Sequence, residues 1–233
     1  MKKIVICIIL LLSGLRLLAA GQEQEPYFCT RPGTQLYYER TKVGKTKLLQ
    51  TTLFEIESAR PSAKGLTIRY AVTMAKANGS ELYGGRAVQT AYASPDGDIS
   101  LNFGETVKAF VRNLFPRTSI EVSEASAVLP AQMQPGDTLP ETHCSVKVMG
   151  ITVRFDVTER KVLRREKITT PAGTFDCVVV RERKKEDAPF HHLDEWLDNY
   201  YVLGLGYVRH DKYDKNMRLE ESEVLVRISQ PAQ

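Results

Sequence analysis

The polar segment from His191 to Asp198 is the part of the chain whose side chains come nearest to a catalytic or metal site. If this segment is helical, His192 and Glu195 lie three positions apart and face one ion, with Asp198 nearby. A metal held there would make the chain a hydrolase or another metal-dependent enzyme. The spacing dictates no third ligand, however, and the HExxH motif is absent. We therefore favour a polar loop before a strand, expect no metal and no cofactor, and keep His192 and Glu195 as metal candidates of the alternative.

Cysteine is the other residue type with chemical potential. Cys29, Cys144 and Cys177 follow the N-terminal segment, and an odd number of cysteines indicates one disulfide bridge plus one thiol in an oxidising compartment. The sequence does not choose among the three pairings, and the alternative that all three are small buried side chains stays open. His143 adjoins Cys144, but neighbours on a strand point in opposite directions, so we interpret this cysteine as structural.

Strand patterns dominate the elements that would position such residues. Apolar and polar side chains alternate over residues 66–74, 151–157 and 224–228, which is typical of strands with one buried face. Residues 175–180 are apolar on both faces, which predicts a central strand. Turn sequences separate these runs at residues 43–45, 78–79, 96–97, 171–173 and 214–216.

The sequence predicts few helices. Residues 105–115 place apolar side chains at helical spacing and end at Pro116, which predicts one amphipathic helix packed across a sheet. A second helical or turn segment is expected from Pro189 to Leu197. The fold class is therefore all-β with one or two short helices, an antiparallel sheet curled into an open or half-open barrel.

The N-terminus has the features of a secretory signal peptide over residues 1–21. Two lysines precede an apolar run, and small residues stand where a signal peptidase cuts. The apolar run is too short to span a membrane, and no later segment is long and apolar enough. We therefore expect one β-rich domain over residues 22–233, exported to the periplasm or the cell surface. Since Lys2, Lys3 and Arg16 leave with the leader, three of the four units of formal net charge +4 disappear, which argues against nucleic-acid binding.

The second half of the chain resembles a known family. Residues 135–139 read PGDTL, residues 170–177 read TPAGTFDC, and residues 204–209 read GLGYVR. In this order they resemble the TapB-like family, secreted β-rich proteins of Bacteroidota that carry a domain of unknown function. The resemblance implies a largely antiparallel sheet in an open or half-open barrel, a shape similar to periplasmic carriers of lipids and lipoproteins. It brings no catalytic residues.

The one-sided apolar strands favour a binding function. An incompletely closed barrel leaves a concave apolar surface, so we expect a non-catalytic module of the cell envelope that binds an apolar, lipid-like small molecule or a protein partner. Four aromatic side chains are expected to line the ligand site: Tyr70, Phe155, Phe175 and Tyr207. The rival hypotheses are the enzyme that uses residues 191–198 and a structural component of the envelope or of secretion.

Overall fold

One curled antiparallel sheet and one helix make up the fold. The computed structural model describes residues 24–189 and 191–231, so the signal peptide expected at residues 1–21 lies outside the described residues. The thirteen strands of this part of the chain are β1 Gln35–Lys42, β2 Leu48–Ser62, β3 Gly65–Lys76, β4 Ala87–Ala93, β5 Ile99–Asn102, β6 Ile120–Val122, β7 Ser126–Leu129, β8 Thr142–Val148, β9 Ile151–Thr170, β10 Gly173–Ala188, β11 His191–Val202, β12 Gly206–Tyr213 and β13 Leu219–Ser229. The helix α1 spans Phe103–Leu114.

Neighbouring strands in the sheet are mostly neighbours in sequence. The order is β6-β8-β9-β10-β11-β12-β13-β1-β2-β3-β4-β5-β7, so the first and last strands meet in the middle and two short strands form the edges. The alternating runs at residues 66–74, 151–157 and 224–228 lie in β3, β9 and β13, as predicted. Val178, Val179 and Val180 are all buried, which fits the central position expected for this run, now β10.

The sheet curls strongly but does not close into a barrel. Its edge strands β6 and β7 are not paired with each other. The helix α1 contacts β4 and β7 near one edge and β6 and β8 near the other, so it bridges the gap between them. The expected fold class, an all-β antiparallel sheet curled into an open barrel, is confirmed.

A buried arginine joins the two sides of this gap. Arg160 of β9 is 3 % exposed, and its Nη1 donates hydrogen bonds to the carbonyl oxygens of Val128 in β7 and Pro140, at 3.1 and 2.6 Å. Its Nε donates to the Glu182 carboxylate at 3.1 Å. Close by, the Thr142 hydroxyl of β8 donates to the carbonyl oxygen of Ser126 in β7 at 3.2 Å. Side chains rather than a backbone ladder therefore hold the two sheet edges together.

The helix expected over residues 105–115 is present as Phe103–Leu114, so it starts two residues earlier than predicted. The Asn102 side chain caps it by accepting a hydrogen bond from the Glu105 backbone N–H at 2.9 Å, and Pro116 follows the last turn. Gly104 allows the first turn to approach β6 closely, because a Cβ there would lie 2.7 Å from the Ser123 carbonyl oxygen.

We expected a second helical or turn segment from Pro189 to Leu197, and we favoured a polar loop for residues 191–198. Both predictions are wrong for residues 191–198, which lie in a strand. Residues 191–202 form β11, and His191 through Tyr201 pair with β10 along their length. Glu195 and Leu197 are buried on one face of this strand, a two-residue period. Cross-strand pairing has overridden a local pattern that carries little β signal.

Substitution of Arg160, which joins the two sheet edges, should make the folded protein less stable. We expect Arg160→Met to lower the free energy of unfolding by about 3–5 kcal/mol, because Glu182 is left charged in a mostly buried position. Urea unfolding followed by the fluorescence of Trp196 measures this change. Arg154→Met on the same strand is the control: Arg154 is 68 % exposed and 3.8 Å from Asp187, so its loss should cost less than about 1 kcal/mol. Equal effects of the two substitutions would contradict the role given to Arg160.

Candidate functional site

An apolar cavity lies between the inner face of the sheet, the helix α1 and the N-terminal segment that precedes β1. Its volume is about 280 Å³. Alternate residues of the strands point into it because side chains on one face of a strand repeat every two positions. Its wall consists of Tyr27, Phe28, Cys29, Leu36, Tyr38, Phe54, Ile56, Tyr70, Val72, Met74, Gln89, Leu101, Phe103, Thr106, Phe110, Ala127, Leu129, Asn199, Tyr201, Leu205, Gly206 and Tyr207.

Aromatic rings form much of this wall and pack against one another. The Tyr38 and Tyr207 rings are stacked with centroids 4.6 Å apart, and Phe54 meets both rings edge-on, at 5.6 and 5.9 Å. Phe28 meets the Tyr70 ring edge-on at 5.1 Å. Such edge and stacked contacts orient the rings, so the wall is a fixed apolar surface.

The N-terminal segment closes one side of the cavity. Tyr27 and Cys29 are each 3 % exposed. The segment is fixed by the Gly204 N–H, which donates to the Pro26 carbonyl at 2.7 Å, and by the Gln24 side chain, which donates to the Ala131 carbonyl at 3.2 Å. Residues that precede the sheet therefore belong to the cavity wall.

A row of polar side chains, called the polar row below, crosses the inner face of the sheet next to the apolar cavity. Its members are Arg40, Thr52, Glu182, Asn199, His210 and Glu223. Arg40 and Thr52 both donate to the Glu223 carboxylate, at 2.9 and 2.6 Å. On the neighbouring strands, the His210 Nδ1 donates to the Asn199 Oδ1 at 2.6 Å, and the Asn199 amide donates to Glu182 at 3.0 Å. Asn199 also lines the cavity, so it stands at the boundary between the apolar and polar parts of the interior.

Burial determines the charge state of the histidine in this row. Burial lowers the pKa of His210 to about 4, although the nearby Glu223 carboxylate acts in the opposite direction. The imidazole is therefore neutral at pH 7.

Of the four aromatic residues expected to line a ligand site, two are in the cavity wall and two are not. Tyr70 and Tyr207 are in the cavity wall. Phe155 lies outside it and meets the Phe103 ring edge-on at 6.2 Å. Phe175 also lies outside the cavity wall and is partly buried near the turn between β9 and β10. A Cβ atom added to Gly173 in this turn would lie 3.5 Å from the Phe175 ring.

The side chains of residues 191–198 do not converge on one point. His192 is exposed and contacts Asp187 at 2.5 Å. Glu195 lies on the opposite face of β11, with the Lys212 amine at 3.4 Å. Asp198 is buried and accepts two hydrogen bonds from Arg181, both 2.7 Å long. In the described part of the chain no group of three His, Cys, Asp or Glu side chains is arranged to hold a metal ion.

Cys29, Cys144 and Cys177 are buried free thiols. A bridge between Cys144 and Cys177 is incompatible with the strand register, since they pair with Phe155 and Glu166 of β9. Eleven strand positions separate those two partners, on the order of 30 Å, whereas a bridge needs Cα atoms within about 7 Å. Burial raises the pKa of the Cys177 thiol to about 12 and also raises that of Cys144, so neither is a reactive thiolate.

Sequence reasoning missed Gln89, Asn199 and Arg160, the polar side chains that border or support the cavity. One signal for Gln89 was present. Ala87, Gln89, Ala91 and Ala93 occupy alternate positions of β4 and are all buried, so the glutamine is the polar member of an otherwise apolar face.

Comparison with known proteins assigns the fold to a family. The model of the DUF3108-like family matches residues 32–225, so the chain belongs to the DUF3108-like family. The TapB-like name suggested by the motifs is not confirmed by this match. No curated protein matches the chain.

Two solved structures share the fold. One is a predicted lipoprotein of Parabacteroides distasonis, with a TM-score of 0.72 and 20 % identity, covering 89 % of this chain and 100 % of its own. The other is a predicted exported protein with a YmcC-like fold from Bacteroides fragilis, with a TM-score of 0.70 and 22 % identity, covering 88 % and 100 %. At these identities the likeness establishes the fold, and the two descriptions are consistent with export. Among the described residues, no helix has the length and apolar character needed to cross a bilayer.

The histidine in the polar row predicts a pH dependence of stability. Because the pKa of His210 is lowered from 6.5 to about 4 in the folded state, the unfolded chain binds more protons between these values. The free energy of unfolding should therefore fall as the pH drops from 6.5 to 4, with a His210 contribution of up to about 1.4 kcal/mol per pH unit. Urea unfolding at several pH values should show this contribution missing in His210→Gln.

His143 provides a control of opposite sign. It is exposed, and its hydrogen bond with Asp156 raises its pKa, so its stabilising effect is present at low pH and lost as the pH rises. His143→Gln should keep the acid-side slope of the unmodified protein. A slope unchanged in His210→Gln would show that this imidazole is not buried in its neutral form.

The number of free thiols can be checked by titration with a thiol reagent. A chain of residues 22–233 in non-reducing buffer should show three thiols per molecule toward a thiol reagent after denaturation, and almost none in the native state because all three are buried. A count of one after denaturation would establish a disulfide bridge.

Proposed function

We propose that this exported protein is a non-catalytic binding protein that holds one small apolar molecule in the cavity between its curled sheet and its helix. The observation that carries the proposal is the wall of the 280 Å³ cavity, which is built mostly of apolar and aromatic side chains. Apolar pockets with a few polar groups are the usual form of small-molecule sites. An extracytoplasmic place of action, in the periplasm or at the cell surface, is part of the proposal.

The volume limits the size of the ligand. An engineered apolar cavity of about 150 Å³ holds one benzene molecule. This cavity is nearly twice that size and lies just below the range of about 300–1,000 Å³ that is common for drug-sized ligands. The ligand we propose is therefore a short alkyl chain or a body of about two fused rings.

A binding role also fits the remaining chemistry of the chain better than catalysis does. Residues 191–198 are engaged in separate contacts on two faces of a strand, and two of the three cysteines have raised pKa values. No arrangement of nucleophile, base and orienting group comes together among these residues.

A fluorescent dye tests the proposal. N-phenyl-1-naphthylamine is uncharged and becomes brighter in apolar surroundings, and the exported chain should bind it saturably at one site per molecule. We expect Ala127→Phe to weaken dye binding at least tenfold, because the added ring occupies the cavity. Native mass spectrometry of the protein purified from the envelope checks for a natural ligand of matching size.

The neighbouring residue supplies the matched control. Val128 follows Ala127 in β7 and points to the opposite face of the strand, so Val128→Phe should leave dye affinity within about twofold. The melting temperature of both variants shows whether each is folded. Absence of saturable dye binding in the unmodified protein, or equal losses in the two variants, would overturn the proposal.

A further inference from the structure

Five connections lie together at one end of the curled sheet. Because neighbouring strands are antiparallel, the connections between them alternate between the two ends. The 115–119 connection belongs to the same end as the 149–150 turn, because it leads to Ile120, which pairs with Val148 just before that turn. We call the five connections at this end the rim: residues 43–47, 77–86, 115–119, 149–150 and 214–218.

The rim carries most of the exposed large apolar side chains. Of the nine such side chains in residues 24–189 and 191–231, seven lie in the rim or directly beside it. These seven are Val43, Tyr83, Leu114, Phe115, Met149, Ile151 and Met217. Leu203, by contrast, lies in the turn between β11 and β12 at the opposite end. Exposed apolar side chains gathered at one end of a molecule indicate contact with something outside it.

The turn between β8 and β9 shows that folding does not require these side chains. Met149 and Gly150 are its central residues, with φ values of 52° and 79°. A two-residue turn with both φ values positive favours Asn-Gly, so methionine is a poor choice for the turn itself. Met149 is also 70 % exposed and adds nothing to the core. Tyr83 repeats the combination, with a φ of 52° and an exposed ring.

The rim is also basic. Its basic side chains are Lys45, Lys47, Arg86, Arg117, Lys215 and Arg218, and its acidic ones are Glu81 and Asp214. All six cations are exposed. Among the described residues, Arg86 alone of the six forms an ion pair, with Glu55 and Glu57.

The connections at the opposite end have the reverse charge. Residues 63–64, 94–98, 123–125 and 130–141 contain one cation, Lys64, and five carboxylates: Asp96, Asp98, Glu124, Asp137 and Glu141. The charge of the molecule is therefore separated along the direction of the strands. Such a field turns the rim toward a negatively charged surface.

We infer that the rim docks on the surface of a bilayer that contains anionic lipids. The cations are attracted by the anionic headgroups, and the exposed apolar side chains enter the boundary between headgroups and acyl chains. The contacts are spread over five separate connections, which suits a broad surface. The inference goes beyond the proposed function, because none of the seven apolar side chains lines the cavity.

Flotation with lipid vesicles tests the inference without any other protein present. A chain of residues 22–233 is mixed with vesicles of phosphatidylcholine alone or with about 30 % phosphatidylglycerol. We expect at least tenfold tighter binding to the anionic vesicles at low salt, and a loss of most of this difference at about 0.5 M NaCl, where charges are screened.

Charge reversal at the two ends separates the rim from the rest of the surface. Lys45→Glu should weaken binding to anionic vesicles about tenfold, because it replaces an attraction by a repulsion. Lys64→Glu is the matched control, since it reverses an exposed lysine in a turn of the opposite end. Its affinity should stay within twofold.

The apolar contribution is tested at Met149. Met149→Asn creates the Asn-Gly pair that the turn favours, so its melting temperature should not fall, whereas vesicle binding should weaken at least threefold. Leu203→Asn removes an exposed apolar side chain from the opposite end and should leave binding within about 1.5-fold.

Three results would overturn the inference: no binding to anionic vesicles, equal binding to both kinds of vesicle, or equal losses in the variants of the two ends. In the first case the rim meets another kind of partner. Dye binding in the cavity should be unchanged in Lys45→Glu and Met149→Asn, so the inference and the proposed function fail separately.

Discussion

The curl of the sheet depends on the buried guanidinium of Arg160. A sheet of thirteen strands needs a reason to bend until its edges approach, and here backbone pairing does not supply one, because β6 and β7 remain unpaired with each other. Arg160 instead reaches the Val128 carbonyl oxygen across the gap and the Pro140 carbonyl oxygen on its own side, while Glu182 neutralises its charge. The helix covers the remaining opening. Without this junction the inner face would be an open apolar surface rather than a cavity.

The interior that results is divided into two chemical zones. Aromatic and aliphatic side chains surround the cavity, whereas hydrogen bonds link the row from Arg40 to Glu182 across several strands. Within the described residues, the Arg40 Nε atom of this row is buried without a hydrogen-bond partner. Placing the charges in a separate, internally paired row keeps them out of the apolar zone. The division explains why the cavity has apolar character although many charged residues lie on the same strands.

Sequence periodicity predicted the fold well where one face of a strand is apolar. The strands at residues 66–74, 151–157 and 224–228 and the helix expected over residues 105–115 follow from local spacing, with Pro116 marking the end of the helix. β11 was missed because its first residues are polar and its strand state comes from pairing with β10, which is a long-range contact.

The cavity was predictable only in part, for the same physical reason. Alternation shows which side chains share a face, and this was sufficient for Tyr70. It does not show which stretch of a long strand faces the cavity, because that depends on stagger and curl. Phe155 lies near the end of β9 that pairs with β8, so it shares the predicted pattern without reaching the cavity. Arg160 looks like a surface residue in the sequence, and its burial follows from the edge junction.

The pairing of β1 with β13 has a consequence for how the molecule forms. Gln35 pairs with Ser229, so the middle of the sheet joins segments from the two ends of the polypeptide. Such distant contacts make folding slow, because a long loop must be ordered before they can be gained. During synthesis the central ladder cannot assemble until the last strand has emerged from the ribosome. The core of such a chain is therefore completed only at the end of its synthesis.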